Sequence, residues 1–476
     1  MIPFCRLALA TLLLALPPGP AAARGLPKPV AEALRAAAVP PTAVAIVVQE
    51  VGAARPSLSL NAGAPMNPAS VMKLFTTFAA LELLGPAYRW KTEAYASGTL
   101  RDGVLEGELV LKGYGDPRLD YERFWMLLRA LRGKGLREIR GDLVLDREFF
   151  APGNGAPGDF DGEALRPYNV LPDALLVHYK SIRFAFVPEP EGGGVRVYAE
   201  PRPPELEVTS SLRLAAGSCL EGRAFRDLLS PTFEPGPPPR VAFAGRYPLE
   251  CGEKDLNVAL LAPDEHVAGV LRELWREMGG SWSGRARAGT VPEGARLLHT
   301  HESAPLAEIV RDVNKFSNNV MARQLFLTLA TSAFEPPAQL QQAREVLRHW
   351  LNLKGIAAPE LSIENGSGLS RTDRASAASL ALLLQVAWKS AVMPEFVASL
   401  PLAALDGTMR KRLHGDVVAG QAHVKTGLLS DARAMAGYLL DAQGRRQIVV
   451  MLINHPRAPE AEAASDALLR WVYERK

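Results

Sequence analysis

Pro68-Ala69-Ser70-Val71-Met72-Lys73-Leu74-Phe75-Thr76-Thr77 opens a segment whose apolar residues Met72, Phe75, Ala79 and Leu83 recur at helical spacing until Gly85 ends it. Ser70 and Lys73 stand three apart, so the first helical turn puts an amine beside a hydroxyl. A serine hydroxyl is a poor nucleophile at neutral pH until an adjacent base takes its proton. A lysine serves as that base when burial or nearby cations lower its pKa. The helix N-terminus also aims backbone N–H groups at negative charge developing beside Ser70. No other lysine in the chain has a serine three positions before it.

The chain around this turn has 476 residues, enough for two or three domains with substantial cores. Hydrophobic residues make up 48% and charged residues 22%, as in an ordinary soluble globular protein. A net charge of +3 without a basic block excludes nucleic acid as an expected partner. Residues 1–23 read as a secretory signal: Arg6, an apolar run over 7–16, then Ala21-Ala22-Ala23. No later apolar stretch is long enough to span a bilayer. Cys5 would leave with the signal, so Cys219 and Cys251 remain as an even pair in an oxidising compartment, and a disulfide is expected. His299 and His301 alternate in a strand-like run, but no third ligand follows at a recognisable spacing. Neither a metal nor a cofactor is expected.

Hydrophobic periodicity predicts a helix over 29–39, a strand over 42–51 and its hairpin partner at 57–60. From residue 91 the character changes. A hairpin over 91–100 and 104–111 turns at Arg101-Asp102-Gly103, a helix follows over 121–131, and Pro/Gly-rich loops then separate short strands up to 282. Helical patterns return at 305–314, 318–330, 338–352 and 374–391, ahead of strands at 421–425, 434–441 and 447–454 and a helix over 460–473. The first strand and the last three are expected to share one antiparallel sheet. The chain therefore divides into a signal (1–23), an α/β catalytic domain (24–90 and 283–476) and a β-rich insertion (91–282) clipped by the cysteine pair.

Two further motifs lie in the C-terminal half. Ser317-Asn318-Asn319 stands between two helical patterns, where a serine would cap the second. Lys425-Thr426-Gly427 ends a strand ahead of a turn. An earlier Ser59-Leu60-Asn61 lies in the hairpin and reads as structural. Ser-x-x-Lys, Ser-x-Asn and Lys-Thr-Gly in this order form the signature of penicillin-binding proteins and serine β-lactamases. In that chemistry Ser70 attacks a carbonyl and Lys73 accepts its proton, while Ser317 relays a proton to the leaving amine. Asn319 hydrogen-bonds the substrate amide, and Lys425 and Thr426 receive its carboxylate. Gly427 lets the strand edge come close, and the N–H groups of Ser70 and Leu428 form the oxyanion hole.

The chain resembles one branch in particular, the class C low-molecular-mass penicillin-binding proteins of the S13 peptidase family. The similar features are the 68–77 run, Gly115-Asp116-Pro117, Gly366-Ser367-Gly368-Leu369-Ser370-Arg371, Gly437-Tyr438 and the long insert between the first two motifs. The resemblance implies a transpeptidase-like domain, an antiparallel sheet with flanking helices, whose insertion folds as two β-rich subdomains. It also implies a periplasmic, metal-free D-Ala-D-Ala carboxypeptidase or endopeptidase that cuts peptidoglycan peptides and is acylated by β-lactams. Three positions depart from the family pattern: Arg323 and Asn365 stand where acids are common, and Leu428 where a hydroxyl residue is common. Two alternatives remain, a serine β-lactamase or esterase on the same fold, or a non-catalytic cell-wall binder.

Overall fold

The computed structural model describes residues 25–153 and 155–475, so the expected signal segment lies outside them. One sheet organises the catalytic part. Strand β1 (Val44–Glu50) pairs with β2 (Leu58–Leu60) on one side. On its other side, β3 (Ala422–Leu428), β4 (Ala432–Leu440) and β5 (Arg446–Asn454) complete the spatial order β3-β4-β5-β1-β2, antiparallel throughout. The first strand and the last three do share this sheet, with Val47 opposite Val450 and Val450 opposite Ala436. An antiparallel sheet with one wet face alternates apolar and polar residues, whereas these strands are almost continuously apolar. Both faces are covered. Val44, Ile46, Val449 and Met451 pack on helices α1 (Lys28–Ala36) and α5 (Glu462–Glu474), while Ala45, Val47, Val450 and Leu452 face the helical layer on the other side.

That layer surrounds α2 (Lys73–Leu84), in which every residue from Lys73 to Leu81 is buried. The single apolar stripe expected from its sequence is thus corrected. Helices α3 (Leu306–Lys315) and α4 (Asn319–Ala330), with Leu340–Leu353, enclose it, and a helix buried all round needs no polar face. Its two inward threonines remain satisfied, Thr76 donating to Gly366 O and Thr77 to Lys73 O. Asn61, from the earlier Ser-x-Asn, donates its amide to the Pro41 and Val44 carbonyls.

The inserted segment begins with the hairpin Lys91–Arg101 and Val104–Gly113. Arg296–Glu302 pairs antiparallel with the first of these strands, His301 opposite Thr92, and Ala286–Ala288 pairs with Leu143–Asp146 in the same sheet. Residues 283–302 were expected in the catalytic domain, but the returning strand closes the insertion's sheet, so the boundary moves from 282 to about 302. Two helices, Tyr121–Gly133 and Pro263–Glu277, cover this sheet through Phe124, Leu127, Val270 and Leu274. The second replaces the strand-and-loop pattern expected there: Pro263 opens it and Glu265 accepts from the Ala262 N–H. A five-stranded and a three-stranded sheet lie within 182–258 around Phe184, Phe186, Phe243 and Tyr247. Cys219 and Cys251 are joined in this part, with their Cα atoms 4.8 Å apart.

Candidate active site

Ser70 lies in a tight 3-10 turn, Ala69–Met72, that runs directly into α2. The turn is anchored from outside. Asn67 exchanges two hydrogen bonds with Asn454 at the end of β5, and its Oδ1 accepts from the Ala69 N–H. Lys73 is fully buried, and its Nζ lies 3.0 Å from Ser70 Oγ, 2.6 Å from Asn319 Oδ1 and 2.5 Å from Ser367 O. The first two motifs therefore meet at one amine. Burial, then the positive charges of Lys425 and Arg323, hold the Lys73 pKa well below its ordinary value, while Asp373 pulls weakly the other way.

Ser317 is not the cap of α4. Asn318 is, its Oδ1 accepting from the Met321 N–H, because Ser317 adopts a left-handed backbone (φ 55°). That conformation leaves the Ser317 hydroxyl free to accept from Lys425 Nζ at 2.8 Å. Lys425 also donates to Thr426 O at 2.8 Å, and burial pushes its pKa down to about 7.

The outer edge of β3 faces Ser70. Near its start the Val424 N–H donates to Pro401 O. Backbone N–H groups alternate between the two edges of a strand, so Thr426 and Leu428 turn theirs to this same edge. Gly427 permits the approach, since a Cβ there would lie 2.8 Å from Pro68 O and 2.9 Å from Ser70 N. Leu428 is 56% exposed.

Several contributors were not read from the sequence. Ser367 supplies a carbonyl to Lys73, and Asn365 Oδ1 holds that turn by accepting from both the N–H and the hydroxyl of Ser367. Gly366-Ser367-Gly368 is a motif of the sequence, and the fold presents its Ser367 carbonyl to Lys73. Buried Arg323 donates to the Asn169 and Val170 carbonyls, and Gln324 bonds Asp173 at both its donor and its acceptor, tying α4 to the insertion. Phe160 and Tyr168 of the insertion pack beside Ala69, Leu369 and Leu429, so the insertion forms one wall of the site. Thr408, from a loop outside all three motifs, meets Thr426 hydroxyl to hydroxyl at 2.7 Å. A groove of about 620 Å³ starts at Ser317 and Asn319 and runs to Phe225 and Lys254 in the insertion.

A buried, charge-depressed amine against a serine hydroxyl, beside a strand edge with free N–H groups, is equipped for acyl transfer. The comparisons agree with that chemistry. The family model described as "D-Ala-D-Ala carboxypeptidase 3 (S13) family" matches residues 26–474. The chain is 24% identical over 400 residues to the D-alanyl-D-alanine carboxypeptidase DacB of Haemophilus influenzae, covering 83% of this chain and 81% of that one. It is 28% identical over 443 residues to the D-alanyl-D-alanine carboxypeptidase of Actinomadura sp. (strain R39), covering 89% and 80%. The crystal structure of Haemophilus influenzae penicillin binding protein 4 superposes with a TM-score of 0.74 at 22% identity, over 93% of this chain and 99% of that one. The same protein complexed with a β-lactam gives a TM-score of 0.71.

Proposed function

The chain belongs to the D-Ala-D-Ala carboxypeptidase 3 (S13) family, and from that premise we propose that it hydrolyses D-Ala-D-Ala and cross-link bonds of peptidoglycan peptides through an acyl-enzyme on Ser70. The observation that carries this reading is the environment of Lys73. As a free base its amine has two protons, and the Asn319 and Ser367 carbonyl oxygens accept both. Its lone pair is left for the third neighbour, so the Ser70 hydroxyl donates to Lys73 Nζ. Burial and two nearby cations lower the pKa of the amine and so favour this free-base state.

Ser70 Oγ then attacks the carbonyl carbon while its proton passes to Lys73. The Ser70 and Leu428 N–H groups receive the oxyanion. Collapse breaks the carbon–nitrogen bond, and the Ser317 hydroxyl gives its proton to the departing amine. Lys425, already donating to Ser317, replaces that proton. Lys425 and Thr426 hold the terminal carboxylate, and Asn319 the peptide amide. Water then hydrolyses the ester, its oxygen going to the acyl carbon and one proton to Ser70 Oγ. Lys73 releases the proton it took, and Lys425 regains one through solvent. No metal or other cofactor enters these steps.

We place the mature enzyme in the periplasm, on the strength of the signal-like residues 1–23 and the Cys219–Cys251 disulfide. Among the described residues no helix is long and apolar enough to cross a membrane. β-Lactams are the expected covalent inhibitors, since the related Haemophilus influenzae structure was also solved with one. Incubation of the mature protein with defined muropeptide monomers and cross-linked dimers, followed by mass spectrometry, tests the reading. Loss of terminal D-Ala or conversion of dimers to monomers, abolished in Ser70→Ala, supports it. Intact substrates after incubation with folded protein contradict it.

A further inference from the structure

Thr408 lies in the segment that leads into β3, and that segment is fixed with unusual thoroughness. It runs along the outer edge of β3, where Ala403 N–H donates to Ala422 O and Pro401 O accepts from Val424 N–H. Lys315, the last residue of α3, donates to Leu400 O and to Asp406 Oδ2, both at 2.6 Å. Asp406 Oδ1 in turn accepts from the Leu402 N–H at 2.8 Å. Gly407 has φ 54°, and a Cβ there would lie 2.5 Å from Lys315 O, so only glycine lets the loop seat against α3. The result presents one side chain to the site. Thr408 is exposed, and its hydroxyl meets Thr426 Oγ1 at 2.7 Å.

A hydroxyl carries one proton and two acceptor positions. When Thr408 donates to Thr426, the proton of Thr426 is left to point outward, and the pair polarise one another. This matters here because Leu428 supplies no hydroxyl two residues along the same strand. We propose that Thr408 is a positioning residue for carboxylate recognition, its hydroxyl directing the proton of Thr426 at the substrate's terminal carboxylate. The Lys315–Asp406 ion pair holds Thr408 in place, which couples carboxylate binding to the helix end that precedes Ser317.

This inference rests on the peptidase reading above, and two thioester substrates separate the two claims. They share one acyl group, and one departs as thioglycolate, with a carboxylate, the other as the neutral thioglycolamide. Thr408→Val is expected to lower kcat/KM for the charged substrate roughly tenfold, the worth of one hydrogen bond to a charged group, chiefly through KM. The neutral substrate should change less than about twofold, within the range of an uninvolved surface substitution. Thr408→Ser should retain wild-type values, and Thr408→Val should add nothing in a Thr426→Val background. Equal losses on both substrates would mean a merely structural role and overturn the inference, as would no loss on either. A wild-type protein inactive on both substrates would overturn the peptidase reading and this inference with it.

Discussion

Lys73 Nζ lies 3.0 Å from Ser70 Oγ, and among the described residues no carboxylate hydrogen-bonds either group. In the proposed mechanism the amine is the proton acceptor for Ser70, and its competence depends on staying uncharged. Acylation should fall as the pH drops through the lowered Lys73 pKa, because the protonated amine has no lone pair. Lys73→Arg, charged at every accessible pH, should slow acylation by roughly 10²–10⁴-fold. Stopped-flow acylation with a fluorescent penicillin, measured across pH, checks both statements.

Arg323 raises a second expectation about the same limb. Its buried charge helps depress the Lys73 pKa. Arg323→Met should raise the Lys73 pKa and move the acidic limb of acylation to higher pH. Arg323→Lys, which keeps a positive charge, should leave the limb closer to wild type. The pH profile of acylation in the three proteins decides the matter.

Lys425 should set the opposite limb. Its pKa of about 7 means that it loses its charge as the pH rises past neutrality. Affinity for substrates ending in a carboxylate should then weaken above about pH 7, seen as a rising KM. Lys425→Ala should lower kcat/KM on such substrates by roughly 10–100-fold, the range for a lost charged hydrogen bond, with the fold intact by circular dichroism. An unchanged KM across this pH range would remove Lys425 from carboxylate binding.

The disulfide makes a stability prediction independent of the chemistry. Cys219 and Cys251 are 32 positions apart, a loop for which chain entropy gives about 3–4 kcal/mol. Cys251→Ser should destabilise the protein by about that amount, first in the module built around Phe186, Phe243 and Tyr247, which Cys251 adjoins. Thermal melts of the two proteins, both without residues 1–23 and hence without Cys5, test it, with thiol titration of the unsubstituted protein giving no free cysteine.

What could be read from the chain depended on how local each determinant is. Ser70 and Lys73 share one turn, and the ordered motifs predicted that Asn319 and Lys425 would join them, because fixed spacing and residue chemistry both travel in the sequence. Capping by Ser317, the structural alternative to its catalytic role, is overruled by the backbone. A left-handed backbone at a serine is not written in composition, and Asn318, equally able to cap, took that position. The domain boundary at 282 failed for a topological reason. Arg296–Glu302 pairs with a strand that begins at Lys91, about two hundred residues earlier, and no local signal reports such a closure. Helix Pro263–Glu277 did carry its start signals, and the surrounding Pro/Gly-rich context obscured them. Ser367 O and Thr408 were invisible because one acts through its backbone and the other arrives by way of the Lys315–Asp406 clamp.

The central claim is an acyl-enzyme on Ser70, and the mass of the intact protein during incubation with benzylpenicillin measures it most directly. A peptide's departing amine diffuses away and lets water reach the ester, whereas the nitrogen of an opened β-lactam stays tethered and blocks that approach. No carboxylate bonded to Ser70 or Lys73 is placed to drive rapid hydrolysis among the described residues. The expected result is a long-lived adduct one penicillin heavier, mapped to Ser70, absent in Ser70→Ala and strongly slowed in Lys73→Ala. Rapid multiple turnover of penicillin with only a transient adduct would make the protein a β-lactamase, and folded protein with neither adduct nor turnover would contradict the account altogether.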